Sequence, residues 1–205
     1  MPRDKDFKKH VRARMAETGE RYTRAREELR SVSGGAPEGV PGWHLAGDRP
    51  EAYEIGLEAD GAGRRTAYLR TKGDPGEGFG TLMQTVLADE YRDQRVRFTA
   101  ELRGEEIERW AGLWMRVDGV GQELLGFDNM QDRPLRGSFD WARSDVVLDV
   151  PFEAQAIAFG VVMGGKGGVR LREVRLEAVG RDVPPTRSRP PIARQPQNLD
   201  FSEES

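Results

Sequence analysis

Between Trp43 and Val179 apolar and polar residues alternate with a period of two, and this pattern constrains the fold more than any other feature of the chain. In residues 95–102, Val, Phe, Ala and Leu alternate with Arg, Thr and Glu. Successive side chains of a strand point to opposite faces, so this segment predicts a half-buried strand with a wet outer face. No comparable stretch of the region has helical periodicity, which predicts a mainly β domain.

Further segments have strand character and are separated by Gly- and Asp-rich turns. They are residues 53–57, 65–69, 111–117, 146–150, 156–163 and 169–176. Residues 156–163 are almost wholly apolar, which predicts a central strand buried on both faces. The alternation changes phase near Arg172 and Glu173, which predicts a β-bulge. We expect a two-sheet antiparallel sandwich of eight or nine strands, in a jelly-roll arrangement because the Cys…Trp…Cys pattern of immunoglobulin domains is missing.

The rest of the chain is predicted to lie outside this core, which accords with a composition of 37% hydrophobic and 33% charged residues. Residues 1–33 predict an N-terminal helical arm, since Phe7, Val11 and Met15 recur at helical spacing. Gly and Pro mark residues 34–42 as a linker, the sandwich spans residues 43–180, and the Pro- and Arg-rich residues 181–205 predict a disordered tail.

Composition narrows the classes of partner. The net charge is −3, which gives no general attraction to nucleic acid or acidic membranes. The chain contains no cysteine, so it uses neither disulfides nor thiolate chemistry. Its first residues lack the apolar stretch of a secretory signal, and no apolar run is long enough to cross a bilayer. We expect a cytoplasmic protein without a membrane partner; the sequence leaves the oligomeric state open.

Residues 109–141 hold the candidate ligand-binding site, because three of the four tryptophans lie there. If residues 111–117 place their small and aliphatic side chains in the core, the opposite face carries Trp110, Trp114 and Arg116. Aromatic rings supply contact area and polar groups supply orientation. The full predicted set is Trp110, Trp114, Arg116, Asp128, Asn129, Arg133 and Trp141.

Two alternatives stay open for these residues. The N-terminal helices could cover the Trp110 and Trp114 face, which would make it a buried surface. Asp128 could neutralise Arg116 across the site, or it could bind its own turn and pair with Arg133.

Catalysis and metal binding have weaker sequence signals. The only histidines, His10 and His44, lie in different segments, which disfavours a zinc or cupin-type metal site. We expect no metal and no cofactor. Carboxylates in one region keep a glycoside-hydrolysing or lyase alternative open. These are Asp118, Asp128, Asp132 and Asp140.

An ordered set of motifs resembles jelly-roll carbohydrate-binding modules and galactose-binding-like domains. The set consists of Gln84-Thr85-Val86, the strand from Tyr91 to Leu102, Trp141 to Pro151, and Ala154 to Glu177. The chain departs from the family pattern at Leu171 and Glu173, where an aromatic and an aspartate are usual. The run WAGLWMRVDG…FDNMQDRP…GSFDW also resembles an uncharacterised family of bacterial jelly-roll domains, some attached to transcription-regulator modules. The resemblance implies the fold and leaves the ligand open.

The sequence therefore favours a non-catalytic module that binds a small polar or carbohydrate-like ligand on a Trp- and Arg-lined sheet face. The alternative is a regulatory protein whose basic helical arm contacts nucleic acid or a protein partner. That arm carries Lys8, Lys9, Arg12, Arg14, Arg21, Arg24 and Arg26.

Overall fold

The structure, a computed structural model, describes residues 39–59 and 63–186. The predicted helical arm, residues 187–205 of the predicted tail and residues 60–62 of the first hairpin turn lie outside this range. Nine strands are present in the described part: β1 His44–Gly47, β2 Tyr53–Ala59, β3 Arg65–Thr71, β4 Phe79–Leu87, β5 Gln94–Asp118, β6 Leu124–Asp128, β7 Leu135–Val150, β8 Ala156–Gly164 and β9 Gly168–Val179. Two 3₁₀ helices, Pro50–Ala52 and Val120–Gln122, are the only helical elements among these residues. The predicted mainly β class is confirmed.

All the strand pairs are antiparallel, and the strands form one sheet that folds over along β5. Residues 94–105 of β5 pair with β7 on one side and β9 on the other, and β3 and β2 continue beyond β9. Residues 110–118 of β5 pair with β8, and β4 and β1 continue beyond it; residues 115–118 also pair with β6 on the other edge. We call these two parts the first and the second half-sheet.

The 25-residue β5 strand differs from the prediction, which placed two separate strands at 95–102 and 111–117. The polar stretch between them, residues 103–109, lacks alternation in the sequence. In the structure it stays extended but irregular. The pairing register with β7 shifts three times between Leu102 and Ala111, and Glu106 has a φ of 49°. These irregularities turn one strand from the first half-sheet into the second.

The core lies between the two half-sheets. The inner face of β5 contributes fully buried residues from both of its ends, such as Phe98 and Met115. Phe98 of the first half-sheet meets Phe159 of the second with ring centroids 5.0 Å apart. Tyr53 is also fully buried and its hydroxyl donates a hydrogen bond to the carbonyl of Gly165 at 3.0 Å. Burial raises the pKa of Tyr53 to about 12, so this donor stays protonated.

Two finer strand predictions are confirmed. β8 is buried on both faces along almost its whole length, as its apolar run predicts. In β9 the register against β5 shifts between Arg172 and Arg175, and Glu173 between them has a φ of 52°. The change of phase in the sequence therefore marks a real bulge.

Candidate functional site on the outer face of the second half-sheet

The C-terminal end of β5 separates its side chains as the alternation predicts. Leu113 and Met115 lie in the main core, where both are fully buried. Trp114 belongs to a second, smaller apolar cluster with Ala158 and Val162 of β8. Arg116 is on the same outer side and exposed. Trp110, Trp114 and Arg116 therefore share one face, the outer face of the second half-sheet.

The Trp114 indole lies across β8. Trp114 pairs in register with Gly160 of β8, and its Nε1 donates a hydrogen bond to Oγ1 of Thr81 at 2.7 Å. Thr81 belongs to β4, on the far side of β8, so the indole spans a whole strand. Gly160 itself packs against β4, since an added Cβ would lie 2.2 Å from the carbonyl oxygen of Leu82. Trp114 is only 8% exposed, so it forms a fixed support and not an open platform.

Trp110 is the more accessible of the two indoles. It packs against the Trp114 cluster and is half-buried. Its Nε1 lies over Gly164, where an added Cβ would come within 2.7 Å of that atom. The glycine at 164 thus leaves room for the Trp110 ring.

Arg116 pairs with a carboxylate of its own strand. Its Nε lies 2.9 Å from Oδ1 of Asp118, and the Arg116 side chain is 46% exposed. Phe127 of β6 is opposite Arg116 in register and is 37% exposed. An exposed guanidinium with a carboxylate and an aromatic ring beside it can orient polar groups of a ligand.

Asp128 lies on the opposite side of the sheet from Arg116. It pairs in register with Met115, so its side chain points inward, and it is fully buried. It accepts hydrogen bonds from Nη2 of Arg133 at 2.7 Å, from Oγ1 of Thr186 at 2.6 Å and from the backbone N–H of Met130 at 2.9 Å. The sequence left Arg116 and Arg133 open as partners of Asp128, and in the structure Asp128 pairs with Arg133.

The electrostatics of Asp128 fit a structural role. Burial raises its pKa, but the hydrogen bonds from Arg133, Thr186 and Met130 outweigh this and leave the pKa below its ordinary value. Arg133 also donates to the carbonyl of Asp145, and Thr186 bonds both backbone groups of Val147. The carboxylate thereby ties β6 and its following loop to β7 and to the segment after β9.

The two remaining predicted site residues lie elsewhere. Oδ1 of Asn129 accepts a hydrogen bond from the backbone of Gln131 and so closes its own turn. Trp141 belongs to β7, in the first half-sheet, and the guanidinium of Arg172 lies 4.0 Å from its ring centroid. The seven predicted residues therefore do not form one constellation: Trp110, Trp114 and Arg116 lie together, and Asp128, Asn129, Arg133 and Trp141 do not join them.

Sequence reasoning missed the residues that shape this face. The outward positions of β8 are small, whereas β4 and β5 beside it carry larger side chains. The small residues are Ala156, Ala158 and Gly160, and those flanking them on β4 are Met83, Thr85 and Leu87. We call this row of small residues the β8 trough. The Trp114 indole packs on Ala158, so the trough is filled there, and of these three small residues only Ala156 is partly exposed. The small residues at alternate positions of an apolar strand are visible in the sequence.

The carboxylates considered for hydrolysis are dispersed. Asp118 pairs with Arg116, Asp132 with Arg133 at 2.9 Å, and Asp140 with Arg103 at 3.9 Å, while Asp128 is internal. In the described ranges no three His, Asp or Glu side chains are placed to hold a metal ion. The same residues contain no helix with the length and apolarity needed to span a bilayer.

Comparison with known proteins gives one curated relative and many structural neighbours. The chain is 37% identical over 171 residues to the uncharacterized HTH-type transcriptional regulator YbfP of Bacillus subtilis (strain 168), a match that covers 80% of the chain and 58% of that protein. The chain thus spans just over half the length of this relative. No protein-family model matches the chain.

Among solved structures, the enzymatically active domain of tailspike protein 4 of bacteriophage CBA120 resembles the described sandwich with a TM-score of 0.52 and 11% identity, covering 69% of this chain and 20% of that one. The CBM22-1 xylan-binding domain of Paenibacillus barcinonensis Xyn10C aligns with a TM-score of 0.49 and 8% identity, covering 69% and 88% of the two chains. Carbohydrate-binding modules and a transcription regulator are therefore among the proteins similar to this chain, as the sequence resemblance implied. Identities this low to the solved structures concern the fold alone.

Proposed function

We propose that the sandwich is a non-catalytic module, jelly-roll in type, that binds a small polar, carbohydrate-like ligand on the outer face of the second half-sheet. Trp110 would stack on the ligand, Trp114 would hold Trp110 in place, and Arg116 with Asp118 would bond its polar groups. The ligand would lie along the outer face of β5, from Trp110 toward Arg116. The remaining predicted residues, Asp128, Asn129, Arg133 and Trp141, would support the fold.

The observation that carries the proposal is the Trp114 indole fixed across Gly160 with a second, more open indole beside it. Trp114 is outside the main core cluster, in a second cluster at whose edge Trp110 is only half-buried. Sugar rings present an apolar face of C–H groups and a polar rim, which suits an aromatic surface next to charged side chains. Arg116 and Asp118 offer both a donor and an acceptor to such a rim.

The electrostatics favour binding over catalysis. A general acid of a glycoside hydrolase needs a carboxyl group with a raised pKa. Each carboxyl pKa that shifts within the described residues shifts downward, because hydrogen bonds favour the ionised form. The four aspartates near the tryptophans are held by separate arginines or buried.

A ligand panel tests the proposal through intrinsic tryptophan fluorescence and the unfolding temperature. Mono- and oligosaccharides should include at least one compound that shifts emission and raises the unfolding temperature in the full chain. Trp110→Ala and Arg116→Ala should weaken that compound's binding by about tenfold or more, since each removes a direct contact worth about 1.4 kcal/mol.

Trp141→Ala is the matched control, because it removes an equally large ring from the outer face of the other half-sheet. It should leave affinity unchanged. Equal weakening by Trp141→Ala, or no response to any compound, would exclude the proposed face as a sugar site.

A second candidate function follows from the regulator relative. We infer a regulatory role in which the basic residues of the arm contact nucleic acid and the sandwich senses the ligand. Binding of labelled duplex DNA by the full chain should weaken steeply with salt, because phosphate contacts release counterions. Removing residues 1–33 should abolish it; DNA retention that is insensitive to salt, or that survives this deletion, contradicts the role.

A further inference from the structure

The end of the second half-sheet where β4, β5 and β8 meet has an exposed apolar patch. Leu87 of β4, Ala156 of β8, Asp118 of β5 and Leu124 of β6 follow one another across the strands in register. Leu87 is 63% exposed and Leu124 is 52% exposed. Val120 and Phe152, in the loops at this same end, are 66% and 71% exposed. Apolar groups that crowd together at the surface mark an interaction site more often than scattered ones.

Acidic side chains surround this patch. Glu90 follows β4, Glu123 precedes β6 and Glu153 is in the loop before β8, and all three are exposed. None of them forms a salt bridge with another residue of 39–59 or 63–186. Within residues 39–59 and 63–186, Arg92 after β4 and Arg116 on β5 are paired with Asp89 and Asp118. The patch therefore fits a partner with an apolar stripe and a positive surface.

The chain enters the sandwich beside this patch. Val40 is buried in the core, and the carbonyl of Gly42 accepts a hydrogen bond from Nε2 of Gln84 at 2.9 Å. Leu87 is three residues farther along β4, about 10 Å at the rise of a strand. Residues 33–38 precede the described part, and six residues can span up to about 20 Å. The preceding segment, residues 4–32, is thus tethered within reach of the patch.

Residues 4–32 have the complementary chemistry. Phe7, Val11 and Met15 recur at the spacing of one helical face. The segment contains nine Lys and Arg against six Asp and Glu, in a chain whose net charge is −3. We propose that this segment docks on the acid-rimmed patch in its own chain, with the apolar stripe on Leu87 and Leu124 and the basic residues toward Glu90, Glu123 and Glu153. The tether raises the effective concentration of the segment to about the millimolar range, so weak contacts suffice.

This interaction goes beyond ligand binding and does not require it. The patch nevertheless includes Asp118, which the proposed ligand face also uses, and Arg116 lies two residues away on the same strand. A ligand there and the docked arm would touch the same strands, which links occupancy of the face to release of the basic segment.

Amide hydrogen exchange of the full chain tests the docking. A helix as short as residues 4–16 is marginal alone in water, so protection of its amides reports docking. We expect slowed exchange in residues 4–32 of the unmodified chain. Leu87→Glu, and separately Glu90→Lys with Glu123→Lys, should accelerate that exchange by about tenfold. Asp140→Lys is the control, because it reverses the charge of a side chain that is 86% exposed on β7 of the other half-sheet. It should leave the exchange of residues 4–32 unchanged.

A charge swap separates docking from a change in the fold. Lys8→Glu with Arg12→Glu should restore protection in the Glu90→Lys, Glu123→Lys background, because opposite charges again face each other. Exchange of residues 4–32 at the unprotected rate in the unmodified chain overturns the proposal. So does protection that survives the patch variants, or protection that rises with protein concentration, since the latter identifies a second copy as the occupant.

Discussion

At the scale of single residues, Asp128 shows how the fold chooses between two alternatives that the sequence leaves open. Its position in a polar run, FDNMQDR, fits an exposed ligand contact and a structural turn equally well. What decides between them is the strand register, since pairing with Met115 directs the carboxylate inward. Register depends on which strand is the neighbour, and the local sequence around Asp128 does not contain that information.

Asp128→Asn should destabilise the protein by about 2–4 kcal/mol, because it replaces the buried anion that Arg133 and Thr186 donate to with a neutral amide. Denaturant unfolding of the full chain measures this. Asp132→Asn is the control: this carboxylate also contacts Arg133 but is 62% exposed, and its loss should cost under about 1 kcal/mol. Equal effects of the two substitutions would contradict the structural role of Asp128.

We predict that the stability of the protein depends on pH through the same carboxylate. Its pKa in the folded state is lowered from the ordinary value of 3.8. The stabilisation is therefore complete above the unfolded-state pKa and is lost as the pH falls toward and through the folded-state pKa. Unfolding measured between neutral and strongly acidic pH should show a smaller loss of stability in Asp128→Asn than in the unmodified chain. Parallel acid profiles would show that Asp128 is not the group that titrates.

The hydrogen bond between Trp114 and Thr81 was not foreseeable, because it joins residues 33 positions apart across an intervening strand. Thr81→Val should cost about 1–2 kcal/mol, since it leaves a buried indole N–H unpaired and removes the bond to the Val161 carbonyl. Thr85→Val, on the same strand but exposed, should remain within about 0.5 kcal/mol. In a double-mutant cycle with Trp114→Phe the two losses should not add; simple additivity would contradict the bond.

At the scale of elements, the sequence predicted most strands but not how they pair. Alternation identified both ends of β5, and an unbroken apolar run identified β8 as a strand buried on both faces. The continuity of β5 through its polar middle was missed, because residues 103–109 lack regular alternation in the sequence and pair irregularly in the structure. The trough on β8 was missed for a related reason. Small residues within an apolar strand predict a packed core, and only the neighbouring strands show that the residues beside them are larger.

At the level of strands, Gly160 allows β4 to approach β8 closely, and the Trp114 indole reaches Thr81 across these two strands. A Cβ at this position would lie 2.2 Å from the carbonyl oxygen of Leu82, so β4 and β8 would have to separate. Gly160→Ala should destabilise the fold by about 1–3 kcal/mol and increase the exposure of Trp114, measured by unfolding and by fluorescence quenching. Gly126→Ala is the control, because its Cβ would meet nothing closer than 3.6 Å. A stable Gly160→Ala protein with unchanged quenching would show that no close approach exists.

Because of the bulge in β9, we predict that glycine substitutions at two nearby sites change the stability in opposite directions. Glu173 has a φ of 52°, a conformation that is strained for residues with a Cβ. Glu173→Gly should raise stability by up to about 1 kcal/mol, whereas Arg175→Gly, in the regular strand, should lower it by about 0.5–1 kcal/mol. Thermal unfolding of both variants measures the difference. Destabilisation of similar size at the two sites would argue against the bulge at Glu173.

At the scale of the whole molecule, periodicity and turn residues were sufficient to predict a mainly β fold, because both are local properties of the chain. The candidate site was only partly predictable. Trp110, Trp114 and Arg116 share a face because they share one strand, and alternation alone fixes that relation. Trp141 and Asp128 were grouped with them by closeness in sequence, but the fold places β7 in the other half-sheet and turns Asp128 inward.

The most direct test of the proposed ligand face is a titration of the four tryptophan indole N–H signals by two-dimensional NMR of the ¹⁵N-labelled full chain. The ligand is the saccharide that stabilises the protein most in the thermal panel. The indole N–H signal of Trp110 should shift most. The signal of Trp114 should shift less, because Trp114 is nearly buried and bonded to Thr81. The signals of Trp43 and Trp141 should not change. Shifts confined to Trp141, or four unchanged signals at saturating saccharide, would contradict binding on the outer face of the second half-sheet.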